Sequence, residues 1–489
     1  MLKQPRILII GAGMSGLLSA IRLLQSGNRN IVIYEKRDTL GGTWRDNVYP
    51  GLQCDVPAHM FTYSFEPNPE YSTRFPKGDE IQEYLERVCK KYKIEKLIHY
   101  EKTVDSAVHQ AGNWTVQTSD GAVEVFDVII CATGILHHPN LPDIPGRDCF
   151  GGISFHTARW NRAANLKGQR VGVIGTGATA VQIVPEMVGF AAHLSLFQRT
   201  PQWIFPMPNK TYSENQKQRV RSSPRLAARL RWIYSKLFQW TFSRAVIGNP
   251  FLLFAIQKLC QSHLNRKVKD PSLRAKLTPK FQAGCKRLIF GKGFYQAMQS
   301  PNASLVCEDI ISIDETGVNT IDGRHHKLDV LIYATGFRAH DYMRPMLVMG
   351  PSGRTMNQAW NQGAYAHRST MVPGFPNFFL IFGPYSPIGN YSAISVAEVQ
   401  VNYILKLLKL LETTHNNLIE PIEQKTRALQ KKLEVASRKT VWLSGCRSWY
   451  IDPHGRTTMW PWTFERFERE LSKVSVREFS LFKKANVEL

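Results

Sequence analysis

The sequence predicts an α/β fold of two parallel-sheet units, one inserted in the other, with a helical segment inserted in the second, and three observations predict it. Two apolar runs, Ile7 to Ile10 and Val171 to Ile174, each lead into a glycine-rich turn and then a helical pattern. The turns are Gly11-Ala12-Gly13-Met14-Ser15-Gly16 and Gly175-Thr176-Gly177-Ala178-Thr179-Ala180. Two further apolar runs, from Asp127 and from Asp329, close on the same triplet, Ala132-Thr133-Gly134 and Ala334-Thr335-Gly336, and read as buried strands ending in a small-residue turn. Strand, glycine turn and helix N-terminus in that order define a Rossmann-like dinucleotide site. Two such sites imply two nucleotide cofactors, with electrons passing from one to the other.

In the first unit a strand over Arg6–Ile10 precedes the turn. Gly11 permits the turn, Gly13 admits the diphosphate to the backbone, and Gly16 lets helix pack on strand. Ser15 and its neighbours then open a helix whose free N–H groups and dipole favour an anion. A second strand, Asn30–Tyr34, ends at Glu35. A carboxylate there accepts hydrogen bonds from ribose hydroxyls and repels a 2′-phosphate, which suits the adenosine of FAD or NAD. In the second unit the corresponding strand, His193–Phe197, runs into Gln198-Arg199-Thr200-Pro201. A guanidinium beside a hydroxyl suits a 2′-phosphate, so this site is read as one for NADPH.

Between the turns lies Phe150-Gly151-Gly152-Ile153-Ser154-Phe155-His156-Thr157-Ala158-Arg159-Trp160, and upstream lies a segment from Gly41-Gly42-Thr43-Trp44 through Tyr49-Pro50-Gly51 to Asp55. These match F-x-G-x-x-x-H-x-x-x-W and G-G-x-W-x-x-x-x-Y-P-G-x-x-x-D. The chain therefore resembles the Baeyer–Villiger monooxygenases, relatives of the flavin-containing monooxygenases, over most of its length and in the same motif order. Asn161 departs from the Pro or Asp that usually follows the fingerprint Trp. N- and S-oxygenating relatives, whose similar fingerprint has another aromatic in place of the Trp, are the alternative within the class.

The resemblance implies that NADPH reduces FAD and that reduced flavin captures O₂ as a C4a-peroxyflavin. Kept anionic, that species attacks the carbonyl of a hydrophobic ketone to give an ester or lactone; the flavin supplies the chemistry and the protein the geometry. The family's peroxide-stabilising Arg corresponds to Arg287 in Gly284-Cys285-Lys286-Arg287-Leu288, and Asp55 to the carboxylate that orients it. Lys286 is expected to join Arg199 and Thr200 at the 2′-phosphate, and Trp449 to lie near the nicotinamide ribose. The expected cofactor contacts further include Gly42, Thr43, Trp44, Phe61 and Val104, and on the second unit Thr176, Ala178, Thr179, Ala180 and Gln182. Phe150, Gly152, His156 and Trp160 form the linker fingerprint, with His156 in a conformational role. The substrate pocket is expected between the helical insertion and Tyr385–Tyr391.

A chain of 489 residues accommodates two or three domains. The expected division is 1–145 and 330–489 for the FAD domain and 146–329 for the NADPH domain. Helical periodicity over Ser395–Leu411 places a helix in the former. The eight cysteines are scattered and form no C-x-x-C, which argues against a disulfide framework and fits a reducing cytosol. The first strand begins within a few residues of Met1, leaving no room for a signal peptide. His, Cys and carboxylates show no metal-ligand spacing.

Residues 209–280 hold sixteen Lys/Arg against Glu214 and Asp270, so they carry +14 of the net +23. Leu230, Ile233, Leu237 and Trp240 recur among these charges at helical spacing. Such a segment reads either as an insertion with its apolar face on the core or as an interfacial membrane element. Asn249-Pro250 interrupts its longest uncharged stretch, which is too short to span a bilayer. The expectation is a cytoplasmic enzyme with peripheral contact to the inner face of a membrane. The alternative of another class is a basic membrane-surface protein that keeps the fold without oxygenation. No nucleic-acid-binding module accompanies the high pI, and oligomeric state leaves no trace in the sequence.

Overall fold

The computed structural model describes residues 4–484. Two five-stranded sheets, each wholly parallel, form its centre. The first has the order Phe378–Leu380, Val128–Cys131, Ile7–Ile10, Ile31–Tyr34, Ile98–His99. The second runs Ala303–Val306, His193–Phe197, Arg170–Ile174, Val330–Tyr333, Ile153–His156. Phe378–Leu380 joins the first sheet only after the chain has completed the second, which makes the second unit an insertion. The central strands are uninterrupted apolar runs because both faces are covered by other elements.

Helices Met14–Gln25 and Ala178–Val188 follow the two glycine turns directly. The periodic stretch near residue 400 is a 21-residue helix, Ala393–Thr413, packed against Met14–Gln25. The strand Val330–Tyr333 lies in the second sheet, beside Arg170–Ile174, so that unit continues past the expected boundary at 329. The reason is the connection: the chain leaves the sheet only at Ala334-Thr335-Gly336, after the strand is complete. The outermost residues of the expected ranges, 1–3 and 485–489, lie outside the described residues.

The basic insertion is helical, and its sequence states where each helix starts. Ser223-Pro224, Asn249-Pro250 and Asp270-Pro271 each place a capping side chain before a proline that needs no N–H partner. The side chains of Ser223, Asn249 and Asp270 accept from the backbone N–H groups of Leu226, Leu252 and Leu273. Helices Pro224–Phe238 and Pro250–Lys267 result, with a π-helical turn at Gln239–Ser243 between them. Arg231 ties the first helix to the outer unit through an ion pair with Glu398 at 2.9 Å and a hydrogen bond to the Thr62 carbonyl. Among the described residues no helix is long and apolar enough to cross a membrane.

Candidate active site

The two glycine turns are built alike. Gly11 and Gly175 have φ of +104° and +112°, values that L side chains rarely adopt. A Cβ on Gly11 would lie 2.8 Å from the Ala132 carbonyl oxygen, and one on Gly175 would lie 2.5 Å from that of Ala334. Each Ala-Thr-Gly turn is therefore packed against the first glycine of a nucleotide turn. Each also donates its alanine N–H to the end of the preceding central strand, Ala132 to Ile10 and Ala334 to Ile174.

A cavity of about 360 Å³ opens at the first turn. Gly11, Gly13, Ser15, Glu35, Gly42, Thr43, Trp44 and Val104 all line it. Glycine faces glycine across its throat, since a Cβ on Gly42 would meet the Gly13 Cα at 3.2 Å. The bare backbone on both sides, at the start of the helix Met14–Gln25, fits a diphosphate. Glu35 is buried; one oxygen accepts from the Ala12 N–H at 2.8 Å and the other from Arg45 at 3.2 Å. Phe61 does not line this cavity. It lies buried beneath Trp44, edge to face at 5.3 Å, and so supports a wall residue instead of forming the wall.

Residues 41–55 run from this cavity to the second unit. Gly42 meets Gly13, and Arg45 holds Glu35. The Tyr49 hydroxyl donates to Oε1 of Gln182 at 3.0 Å, while the Gln182 Nε2 donates to the Gln53 carbonyl at 3.0 Å. Both ends of the Gln182 amide are thus engaged by this bridge, so Gln182 joins the two units. At the second turn, the Thr176 hydroxyl donates to the Thr200 carbonyl at 2.5 Å, fixing the loop that carries the exposed Arg199. Burial lowers the Lys286 ammonium below its ordinary pKa, and the nearby Arg199 guanidinium lowers it further. Two cations that repel each other beside a helix N-terminus fit a dianionic phosphate.

At its far end the same bridge presents Asp55 to Arg287. Nε and one terminal nitrogen of Arg287 donate to the two carboxylate oxygens at 2.5 and 2.7 Å, a bidentate pair. Burial opposes the guanidinium charge, yet the attraction and paired hydrogen bonds of Asp55 outweigh it, so the pKa of Arg287 is raised. Beyond the pair lies a small chamber of about 20 Å³ walled by Phe238, Phe242, Phe290, Ile388 and Tyr391. The helical insertion and the 385–391 segment both contribute to that wall. Ile388 also lines a neighbouring cavity that contains Trp449, and Phe382 lines both that cavity and the large one. The three cavities are thus neighbours, with Phe382 and Ile388 as shared walls between the first glycine turn, Trp449 and Arg287.

The sequence reading overlooked Tyr450. It is buried, its ring lies 4.4 Å from that of Trp449, and the charge of Arg287 acts directly on its hydroxyl. Its only signal was adjacency to Trp449. A second correction concerns Cys285 and Cys446, which form a disulfide with a Cα separation of 6.2 Å. They stand 161 residues apart, so spacing held no trace of the pairing. The bond joins the segment bearing Lys286 and Arg287 to the segment bearing Trp449 and Tyr450. His156 is buried at the end of the strand beside Val330–Tyr333, and its Nδ1 accepts from the Ala158 N–H. Burial lowers its pKa to about 4, so it is neutral and serves as a fixed acceptor in the linker. Gly152 passes close to the Asp329 carbonyl, Phe150 sits beside Gly152, and Trp160 packs on Phe155.

The sequence signature of flavin-binding monooxygenase-like proteins matches residues 4–444, and the chain belongs to that family. An uncharacterised monooxygenase of Mycobacterium tuberculosis is 40% identical over 484 residues, which cover 99% of this chain and 97% of the relative. A Baeyer–Villiger monooxygenase of Streptomyces coelicolor is 35% identical, over 99% of this chain and 94% of the relative. Among solved structures, OTEMO in complex with FAD and NADP superposes with a TM-score of 0.88 at 25% identity, over 98% of this chain and all of that one.

Proposed function

We propose that this protein is an NADPH-dependent Baeyer–Villiger monooxygenase that holds FAD at the first glycine turn and converts a hydrophobic ketone to an ester or lactone. The observation that carries the reading is the Arg287–Asp55 pair, set at a small apolar chamber. The flavin, when bound, supplies the activation of O₂. Gly11, Gly13 and Gly42 cradle its diphosphate, and Glu35 receives the adenosine ribose. Arg199 and Lys286 receive the 2′-phosphate of NADPH.

Arg287 holds a constant positive charge, because Asp55 raises an already high pKa. A fixed, preorganised cation favours an anionic oxygen over its protonated form and stabilises the oxyanion that forms when a carbonyl is attacked. Phe238, Phe242 and Phe290 give the chamber apolar walls, and their surfaces suit an apolar substrate. Asp55 positions the guanidinium, and the Tyr450 hydroxyl lies against it. Streptomyces and Pseudomonas relatives bearing the Baeyer–Villiger name at 35% and 36% identity support the same reading.

The test is Arg287→Ala in the purified, flavin-loaded enzyme, given NADPH and a panel of aryl and alicyclic ketones. NADPH oxidation is expected to persist while ester formation falls roughly 100- to 1,000-fold, the usual effect of removing one oxyanion donor. Ester formation at the wild-type rate removes Arg287 from the mechanism. A wild-type enzyme that oxygenates amines or sulfides and no ketone assigns the chain to the N- and S-oxygenating branch.

A further inference from the structure

The insertion leaves an unpartnered face. On the helix Pro224–Phe238 and the turn after it, Trp232, Ile233, Leu237 and Trp240 are exposed, and on Pro250–Lys267 so are Phe251 and Phe254. Trp232 is 60% exposed, Phe254 64% and Phe251 84%, far more than large apolar side chains usually show in a water-facing helix. Cations share the same surface. Arg225 and Arg229 precede Trp232 at helical spacing, the Arg244 guanidinium lies 3.7 Å over the Trp240 ring, and the Lys258 ammonium lies 5.3 Å from the centre of the Phe254 ring. Arg221, Arg231 and Lys236 of the insertion pair instead with carboxylates, Glu70, Glu398 and Glu465.

We infer that this face docks on an anionic phospholipid surface. The inference rests on the Baeyer–Villiger reading for its purpose, but not for its evidence. Exposed Trp and Phe suit the boundary between headgroups and acyl chains, and the +14 of residues 209–280 suits a negatively charged headgroup layer. A protein partner would need matching acidic and apolar patches together; a bilayer of acidic lipids offers both in one layer. The back of the same element lines the reaction chamber. Across the π-helical turn Gln239–Ser243, Trp240 faces out while Phe238 and Phe242 face the cavity beside Arg287. Docking there sets the chamber next to the membrane, so the substrate class is a ketone apolar enough to partition into lipid.

The test is co-sedimentation of the full-length, flavin-loaded protein with vesicles of phosphatidylglycerol and phosphatidylcholine, against vesicles of phosphatidylcholine alone. Wild type is expected to pellet with the acidic vesicles, with a blue shift of tryptophan emission. W232E/W240E/F254E is expected to lose roughly tenfold or more in partitioning. R225Q/R229Q/K258Q is expected to lose the salt-sensitive part of binding. NADPH oxidation at the wild-type rate shows that each variant is folded. No pelleting of wild type with acidic vesicles overturns the inference. So does concentration-dependent dimerisation that the apolar variant abolishes, which makes the face a contact between copies, or vesicle binding that the apolar variant leaves intact. None of these readouts uses a ketone, so failure here is distinct from failure of the oxygenation reading.

Discussion

The two dinucleotide units share one backbone device, and two of the differences between them bear on what each turn can hold. In both, a positive-φ glycine packs on the carbonyl of an Ala-Thr-Gly turn. At the sixth turn position the first unit has Gly16 and the second Ala180. A Cβ on Gly16 would sit 1.8 Å from the Gly11 carbonyl oxygen, so the first turn is closed more tightly on its helix. The second difference lies at the end of the next strand. Glu35 is buried and bonded to the turn itself, whereas Arg199 is exposed and shares its surroundings with Lys286. The acidic residue of the first unit is thus enclosed by its own turn, while the arginine of the second is open to solvent.

The strongest way to break the comparison is to exchange the sixth positions. Gly16→Ala is expected to destabilise the fold by about 3 kcal/mol or more and to abolish flavin retention, because backbone must move to admit the methyl. Ala180→Gly is expected to cost only about 1 kcal/mol, the ordinary penalty of glycine in a helix. Thermal unfolding with flavin absorbance measures both, and equal effects would show that the turns are equivalent. Asp55→Asn comes next: it leaves the Arg287 charge but loosens its orientation, and ester formation is expected to fall about 10- to 100-fold with NADPH oxidation nearly unchanged. The ratio of ester formed to NADPH consumed reads this directly.

Smaller effects sharpen the second unit. Arg199→Ala is expected to raise the KM for NADPH roughly 10- to 100-fold, the loss of a charge-assisted hydrogen bond or two, and to leave the KM for NADH unchanged. Equal changes for both nucleotides would place Arg199 away from the 2′-phosphate. The smallest effect is one of pH. Lys286 carries its charge below its pKa and loses it above, and that pKa is lowered. The KM for NADPH should therefore begin to rise at a lower alkaline pH than an ordinary lysine would give, and Lys286→Arg should move the rise out of the working range. A profile that the substitution leaves in place would exclude Lys286 as its source.

Near the two turns the sequence was close to a full description. Arg6–Ile10, Asn30–Tyr34 and His193–Phe197 were expected as strands, and the structure has Ile7–Ile10, Ile31–Tyr34 and His193–Phe197. Local physics suffices there, since apolar runs, positive-φ glycines and helix starts are all set within a few residues of one another. For Phe61 and Gln182 the packing partners matter more than the local pattern. Each lies in a motif-bearing region, but whether a side chain meets a cofactor or a neighbouring protein group depends on what packs on it from elsewhere: Trp44 on Phe61, and Tyr49 with Gln53 on Gln182.

What the sequence by itself determined is the pair of nucleotide-binding turns, their order and the sign of charge beside each, because these depend on contiguous residues. Only the tertiary structure decided that Asp55 reaches Arg287 across 232 positions, that Cys285 bonds Cys446, and that the insertion turns Phe238 inward and Trp240 outward. Those features arise where distant segments share one core, and a contact made by packing leaves no periodicity or spacing in the chain that makes it.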